Sequence, residues 1–245
     1  MTPHWLILGA SSAMARAFAR EAAAHGAVLT LAGRDLADLD ATARDAELRG
    51  APSARVVVCD ATDPVSRAEC VELAELPGTD LNVFIAIGQM PDQDSMDINP
   101  VLLLQMIQAN YVGPVALLQG LAPVLERRGR GHIVIVGSVA GDRGRRKNYL
   151  YGSAKAGLAT YATGLRARLF LSGVSVTLVK PGFVDTAMTW GLPGLFLMAS
   201  PQASAAAMMR AALRGREEIY HPSFWRWIML VIRVLPAALM KRLNF

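Results

Sequence analysis

Short, largely apolar runs alternate with helix-forming stretches along this chain, and that alternation constrains its fold most. The strand-like runs are Trp5–Gly9, Val28–Gly33, Arg55–Cys59, Leu81–Ile87, His132–Gly137, Val174–Lys180 and Glu217–Tyr220. Between them lie Ala13–His25 (ending at Gly26), Leu36–Leu48, Val65–Leu76, Pro100–Arg127, Tyr149–Leu171 and Pro201–Arg214. Strands that are near-continuously apolar belong to a parallel sheet covered on both faces. The expectation is a single doubly wound α/β domain with about seven strands and ligands at their carboxyl ends.

A chain of 245 residues buries one large core, so one domain is expected. Its 53% hydrophobic content raises the question of a membrane span. The longest uncharged run, Val101–Leu125, is broken by Gln105, Gln108, Asn110, Gly113, Pro114 and Gln119, and reads as a buried helix. The first strand starts after four residues with no basic segment or cleavage site, so no secretory signal is expected. Cys59 and Cys70 lack metal-ligand spacing and read as core residues of a cytoplasmic protein, with no metal site. A net charge of +5 admits anionic partners, but the cations form no stripe interleaved with aromatics, which argues against nucleic acid.

Chemistry concentrates in Tyr151-Gly152-Ser153-Ala154-Lys155, with Ser138 thirteen residues upstream. A Tyr and a Lys at i and i+4 share one helical face. A free phenol titrates near ~10, and an ammonium within about 4–6 Å lowers a neighbouring acid by about 1–3 pKa units. Lys155 is therefore expected to depress the Tyr151 pKa, while the Ser138 hydroxyl holds a substrate oxygen. Together they read as a proton-transfer centre for a carbonyl/alcohol pair. At the first strand-to-helix turn, residues 8–15 (L-G-A-S-S-A-M-A) offer free N–H groups and a positive dipole end to a pyrophosphate.

In this order these residues resemble the short-chain dehydrogenase/reductase family, from Leu6 to about Met188. That family carries T-G-x-x-x-G-x-G, N-A-G, a helical Asn, a Ser, Y-x-x-x-K and P-G. Gly9 is the turn glycine retained here; Ala13 and Ala15 replace the other two, and an added methyl limits close approach of phosphate. At the N-A-G station, Ile85-Ala86-Ile87-Gly88, only Gly88 matches. The resemblance implies a Rossmann-type domain and a catalytic set of Asn110, Ser138, Tyr151 and Lys155, with Asn110 ordering a water that leads protons towards Lys155. It implies cofactor contacts from Gly9, Ser11, Ser12, Ala13 and Met14 at the turn and from Asp60 and Ala61 at the adenine. Gly88 and Tyr151 would also contact the cofactor, Lys155 would hold the nicotinamide ribose, and Pro181, Gly182, Val184 and Thr186 would meet the nicotinamide. Gly33-Arg34 ends the second strand, where NAD-selective domains place an acid. Arg34 is suited to a 2′-phosphate and Asp35 to capping the next helix, so NADP(H) is the expected cofactor. The mechanism implied is hydride transfer to a carbonyl carbon with Tyr151 protonating the oxygen.

Three segments set this chain apart. Residues 141–148 carry Arg143, Arg145, Arg146 and Lys147, either a solvated basic loop or a grip for an anion. A nearly apolar lid, about residues 187–200, either covers a greasy substrate, dips into a membrane or packs on its own domain. Arg143, Arg145, Asn148 and Trp190 are the candidate substrate contacts. Beyond a main domain at 1–222, the tail at 223–245 holds the run Ser223–Leu235, too short to span a bilayer, with Arg226 and Arg233 on one helical face. It suits a membrane interface, a dimer partner or the chain's own pocket. The altered turn, basic loop and tail are similar to a bacterial subgroup related to decaprenylphosphoryl-2-keto-pentose reductases. That similarity implies a lipid-linked keto sugar or other apolar, anionic substrate, met by a cytoplasmic protein peripheral on the inner face of the membrane. It also implies a homodimer or homotetramer packed through the two long helices. A soluble reductase of small hydrophobic ketones and a non-catalytic nucleotide-binding regulator are the alternatives.

Overall fold

The computed structural model describes residues 2–191 and 196–243. In chain order the elements of the first half are β1 (Thr2–Leu8), α1 (Ala13–Ala24), β2 (Val28–Gly33), α2 (Leu36–Leu48), β3 (Ala54–Val58), α3 (Pro64–Glu72) and β4 (Thr79–Ile85). The second half adds α4 (Gln93–Ile98), α5 (Pro100–Ile107), α6 (Gly113–Arg128), β5 (Gly131–Val136), α7 (Tyr149–Leu169), β6 (Val174–Pro181), α8 (Pro201–Leu213), β7 (Glu218–His221), α9 (Trp225–Val234) and α10 (Ala237–Met240). The strands form one parallel sheet in the order β3-β2-β1-β4-β5-β6-β7. Strand order reverses between β1 and β4, so a crevice opens at their carboxyl ends.

Short polar side chains fix where the helices start. Ser12 Oγ accepts from Ala15 N–H at 3.2 Å, Asp35 caps α2 through Asp38 N–H, and Asp63 caps α3 ahead of Pro64. One apolar layer packs Leu117, Leu121, Leu158 and Leu165 on the sheet, with Cys59 and Cys70 buried as free thiols. The opposite layer centres on Phe18, stacked on Phe84 at 4.0 Å with Trp5 edge-on at 4.8 Å.

Two elements depart from the sequence expectations, and the tail takes one of its expected places. α4, not expected from the sequence, is short and polar, capped by Asp92 and tied to α7 where Tyr149 donates to Asp97 at 2.6 Å and Leu150 N–H to Gln93 Oε1 at 3.2 Å. The long helix expected over Pro100–Arg127 contains one wide π-turn at Gln108–Val112. By length and composition Pro100–Arg128 could cross a membrane, but its second half supplies core leucines. α9 packs on its own domain: Trp225 and Met229 are buried with Val139, Phe183 and Tyr220. The seat for Trp225 is Gly182, where an added Cβ would collide with the indole nitrogen. Part of the expected lid, residues 192–195, lies outside the described residues.

Candidate active site

The crevice at the switch point is a cleft of about 740 Å³. Gly9 makes its floor possible. Its φ is +77°, its N–H donates to Ala32 C=O at 2.9 Å, and an added Cβ would meet Ala86 O at 2.8 Å. Ser11, Ser12, Arg34, Asp60, Ala61 and Gly88 line the same cleft. Ala15 is buried in the contact between α1 and the sheet, and neither it nor Ala13 lines the cleft.

Asp60 is fixed by Thr62, whose N–H and hydroxyl donate to Oδ1 at 2.8 and 2.7 Å and hold its carboxyl below the usual range. Arg34 is exposed on the cleft rim, and Asp35 both caps α2 and lines the rim. The cleft thus combines a helix N-terminus, a glycine floor and a cation at the end of β2, a donor set that fits a dinucleotide with an extra phosphate. Leu36, Ala37, Thr62, Ile87, Gln89 and Ala109 also line it and were missed. Most are apolar side chains with no motif to mark them.

Beside Gly88, but not lining the cleft themselves, lie the four residues expected to transfer the proton, Asn110, Ser138, Tyr151 and Lys155. The π-turn brings Asn110 inward, fully buried, where its Nδ2 donates to Gln89 O at 2.7 Å and Met106 O at 2.9 Å. Its Oδ1 has no partner and faces Gly88, where an added Cβ would come within 2.5 Å of it and 3.3 Å of Lys155 Nζ. A polar atom so exposed to its neighbours and so lacking a partner suits a water between Asn110 and Lys155. Tyr151 and Lys155 lie on the inner face of α7, Tyr151 against Met96, Met106 and Ala154.

The pKa expectation fails in one respect. Lys155 Nζ passes the Tyr151 ring at 5.8 Å and donates to Val136 O at 3.3 Å. Burial dominates both groups: it pushes Tyr151 up to about 12 and pulls Lys155 down to about 8. The Ser138 hydroxyl and the Arg145 guanidinium are what oppose the rise at Tyr151. Ser138 Oγ also accepts from Ala140 N–H at 3.0 Å, which fixes the start of the turn after β5.

The remaining predicted residues are dispersed. Ala13, Met14, Pro181, Gly182 and Val184 do not line the cleft, and Gly182 is covered by Trp225. Thr186 and the exposed Trp190 line a neighbouring concavity together with Asp185, Ser200 and Pro201. Arg143 donates to Arg233 O at 2.7 Å and Leu235 O at 3.1 Å, holding the end of α9. Asn148 precedes α7 with its Oδ1 buried and unpartnered. Among the described residues, no three His, Cys, Asp or Glu side chains form a metal-binding group.

The short chain dehydrogenase family model matches residues 3–193. An uncharacterized oxidoreductase of Streptomyces coelicolor is 36% identical over 243 residues, 97% of this chain and 94% of that protein. One from Mycobacterium tuberculosis H37Rv is 34% identical over 239 residues, 97% and 96% of the two chains. Among solved structures, a short-chain dehydrogenase from Sphingobium yanoikuyae in complex with NADPH superposes with a TM-score of 0.79 at 25% identity. That superposition covers 96% of this chain and 97% of the other.

Proposed function

The chain belongs to the short-chain dehydrogenase family of NAD(P)-dependent oxidoreductases, and on that premise we propose that it reduces a carbonyl to an alcohol with NADPH. The observation that carries this reading is the convergence of Ser138, Tyr151, Lys155 and Asn110 beside Gly88, which lines the cleft at the strand ends. A bound nicotinamide would supply the hydride. The chain does the rest: Ser138 holds the carbonyl oxygen, Tyr151 gives it a proton, and Lys155 and the Asn110 water return one to the phenol. A phenol pushed up to about 12 is fully protonated at neutral pH, the state an acid in reduction needs.

NADPH over NADH rests on Arg34, with no carboxylate at Gly33 to favour a free ribose hydroxyl. Titration by protein fluorescence is expected to give at least tenfold tighter binding of NADPH than NADH. Arg34→Ala should remove most of that difference by weakening NADPH alone, because a charge-assisted bond to phosphate is worth roughly 1.5–3 kcal/mol. Equal affinities in the parent protein would overturn the NADP(H) assignment, and binding of neither nucleotide would favour a regulator without turnover.

The substrate we infer is apolar and anionic, of the lipid-linked keto-sugar type, met at the inner face of the cytoplasmic membrane. The outer face of α9 supports this: Trp227, Leu230, Val231 and Val234 are exposed between Arg226 and Arg233. In the described part of the lid Trp190, Phe196, Leu197 and Met198 are exposed as well. The protein is expected to co-sediment with phosphatidylglycerol vesicles, and Trp227→Glu with Val231→Glu to release it without unseating Trp225. If the parent stays in the supernatant, the soluble reading takes over. Exposed Val101 and Leu104 on α5, and Phe170 and Leu171 beyond α7, support a homodimer or homotetramer packed through those helices.

A further inference from the structure

A second cleft, of about 400 Å³, lies between the basic loop and the C-terminal turn. Arg143, Arg145 and Arg146 line it from the loop, and Lys241 lines it from the tail together with the apolar Ala237, Met240 and Leu243. Asp142, the loop's carboxylate, is engaged elsewhere: it lies 2.8 Å from Lys180 Nζ and accepts from the Tyr220 hydroxyl at 2.7 Å, so it reaches Arg145 only as a nearby charge. Among the described residues no ion pair joins a carboxylate to any of the four cations. Arg143 is bonded only to main-chain carbonyls, which hold the tail and leave its charge intact. The Arg145 Nε is buried without a partner.

A loop that merely sought solvent would fan its cations outward. Here four cations from the loop and the tail line one concavity, and an anion seated there would relieve their mutual repulsion. Several guanidinium donors around one concavity match the multiple oxygens of a phosphate better than a single point charge would. The cleft also adjoins the reaction centre, since the charge of Arg145 is felt at Tyr151. We propose that this cleft is a subsite for the phosphate of an amphiphilic substrate, with the apolar wall of α10 taking the adjoining aliphatic part. The proposal rests on the reductase reading of Tyr151 and adds to it that the tail builds half of the substrate site.

The test uses the full chain saturated with NADP⁺, so that the nucleotide cleft does not compete, and calorimetric titration with octyl phosphate below its micelle-forming concentration. Octyl phosphate is expected to bind at least tenfold tighter than octanol and at least tenfold tighter than inorganic phosphate. Arg146→Ala combined with Lys241→Ala, two exposed positions, should weaken octyl phosphate at least tenfold while leaving NADPH affinity within about twofold. Octanol binding as well as octyl phosphate, or a double variant that binds like the parent, would overturn the phosphate role. Inorganic phosphate binding equally well would overturn the amphiphile. Binding only to phosphatidylglycerol vesicles, and not to monomeric octyl phosphate, would assign the cations to the membrane surface and overturn the subsite. Loss of nucleotide binding or turnover is read separately, so the reductase reading can fail while the cleft stands, and the reverse.

Discussion

Tyr151→Phe is expected to lower kcat for carbonyl reduction by about 10³-fold while NADPH binds as before, within the range removal of a general acid produces. The substitution deletes one oxygen and keeps the ring, which packs against Met96, Met106 and Ala154. No packing loss accompanies it, and the buried phenol that burial pushes up to about 12 is simply gone. Stopped-flow or steady-state oxidation of NADPH measures the rate, and fluorescence titration measures the affinity. If the variant keeps more than a tenth of parental turnover, the proton comes from elsewhere, with Ser138 and a water held by Asn110 the next candidates. If NADPH affinity falls with the rate, the ring oxygen belongs to the nucleotide site and the assignment of roles is wrong.

The sheet and the pairing of Tyr151 with Lys155 on one helical face were legible because each leaves a local mark. β2 and α2 fall where the apolar run Val28–Gly33 and the capped stretch after Asp35 place them. Tyr151 and Lys155 declare themselves by a four-residue spacing that any α-helix converts into one face. What stayed hidden depends on partners far along the chain. Gly182 reads as part of a turn, and only the fold shows it seating Trp225 from a helix 43 residues later. Arg143 reads as one more cation of a basic loop, whereas its partners are carbonyls of residues 233 and 235. The π-turn at Gln108–Val112 has no compositional signal, yet it carries Asn110 into the site. The influence of Lys155 on Tyr151 was misjudged for a related reason. Spacing predicts that two side chains meet, but not how far each is desolvated, and here desolvation outweighs their mutual attraction.

That desolvation leads to the second large effect: Lys155→Met should stabilise the protein, in the absence of added nucleotide, as it abolishes reduction. A Lys ammonium with an ordinary value of 10.5, pulled down to about 8 by burial, is disfavoured in the fold by roughly 3 kcal/mol at neutral pH. Between those two values the unfolded chain binds more protons at this site than the folded one, so stability rises with pH across that window. Below about pH 8 the penalty is present in full; above 10.5 it is absent. Methionine keeps the apolar stem and removes the charge, and the lost bond to Val136 O offsets part of the gain. Urea melts at pH 7 are therefore expected to show Lys155→Met more stable than the parent by roughly 1–3 kcal/mol, with the margin shrinking by pH 10. A variant no more stable at pH 7, or a margin that grows with pH, would show that the ammonium is already compensated within the fold. A stabilised but inactive variant would instead identify Lys155 as a charge the fold tolerates at a cost because the proton path to Tyr151 requires it.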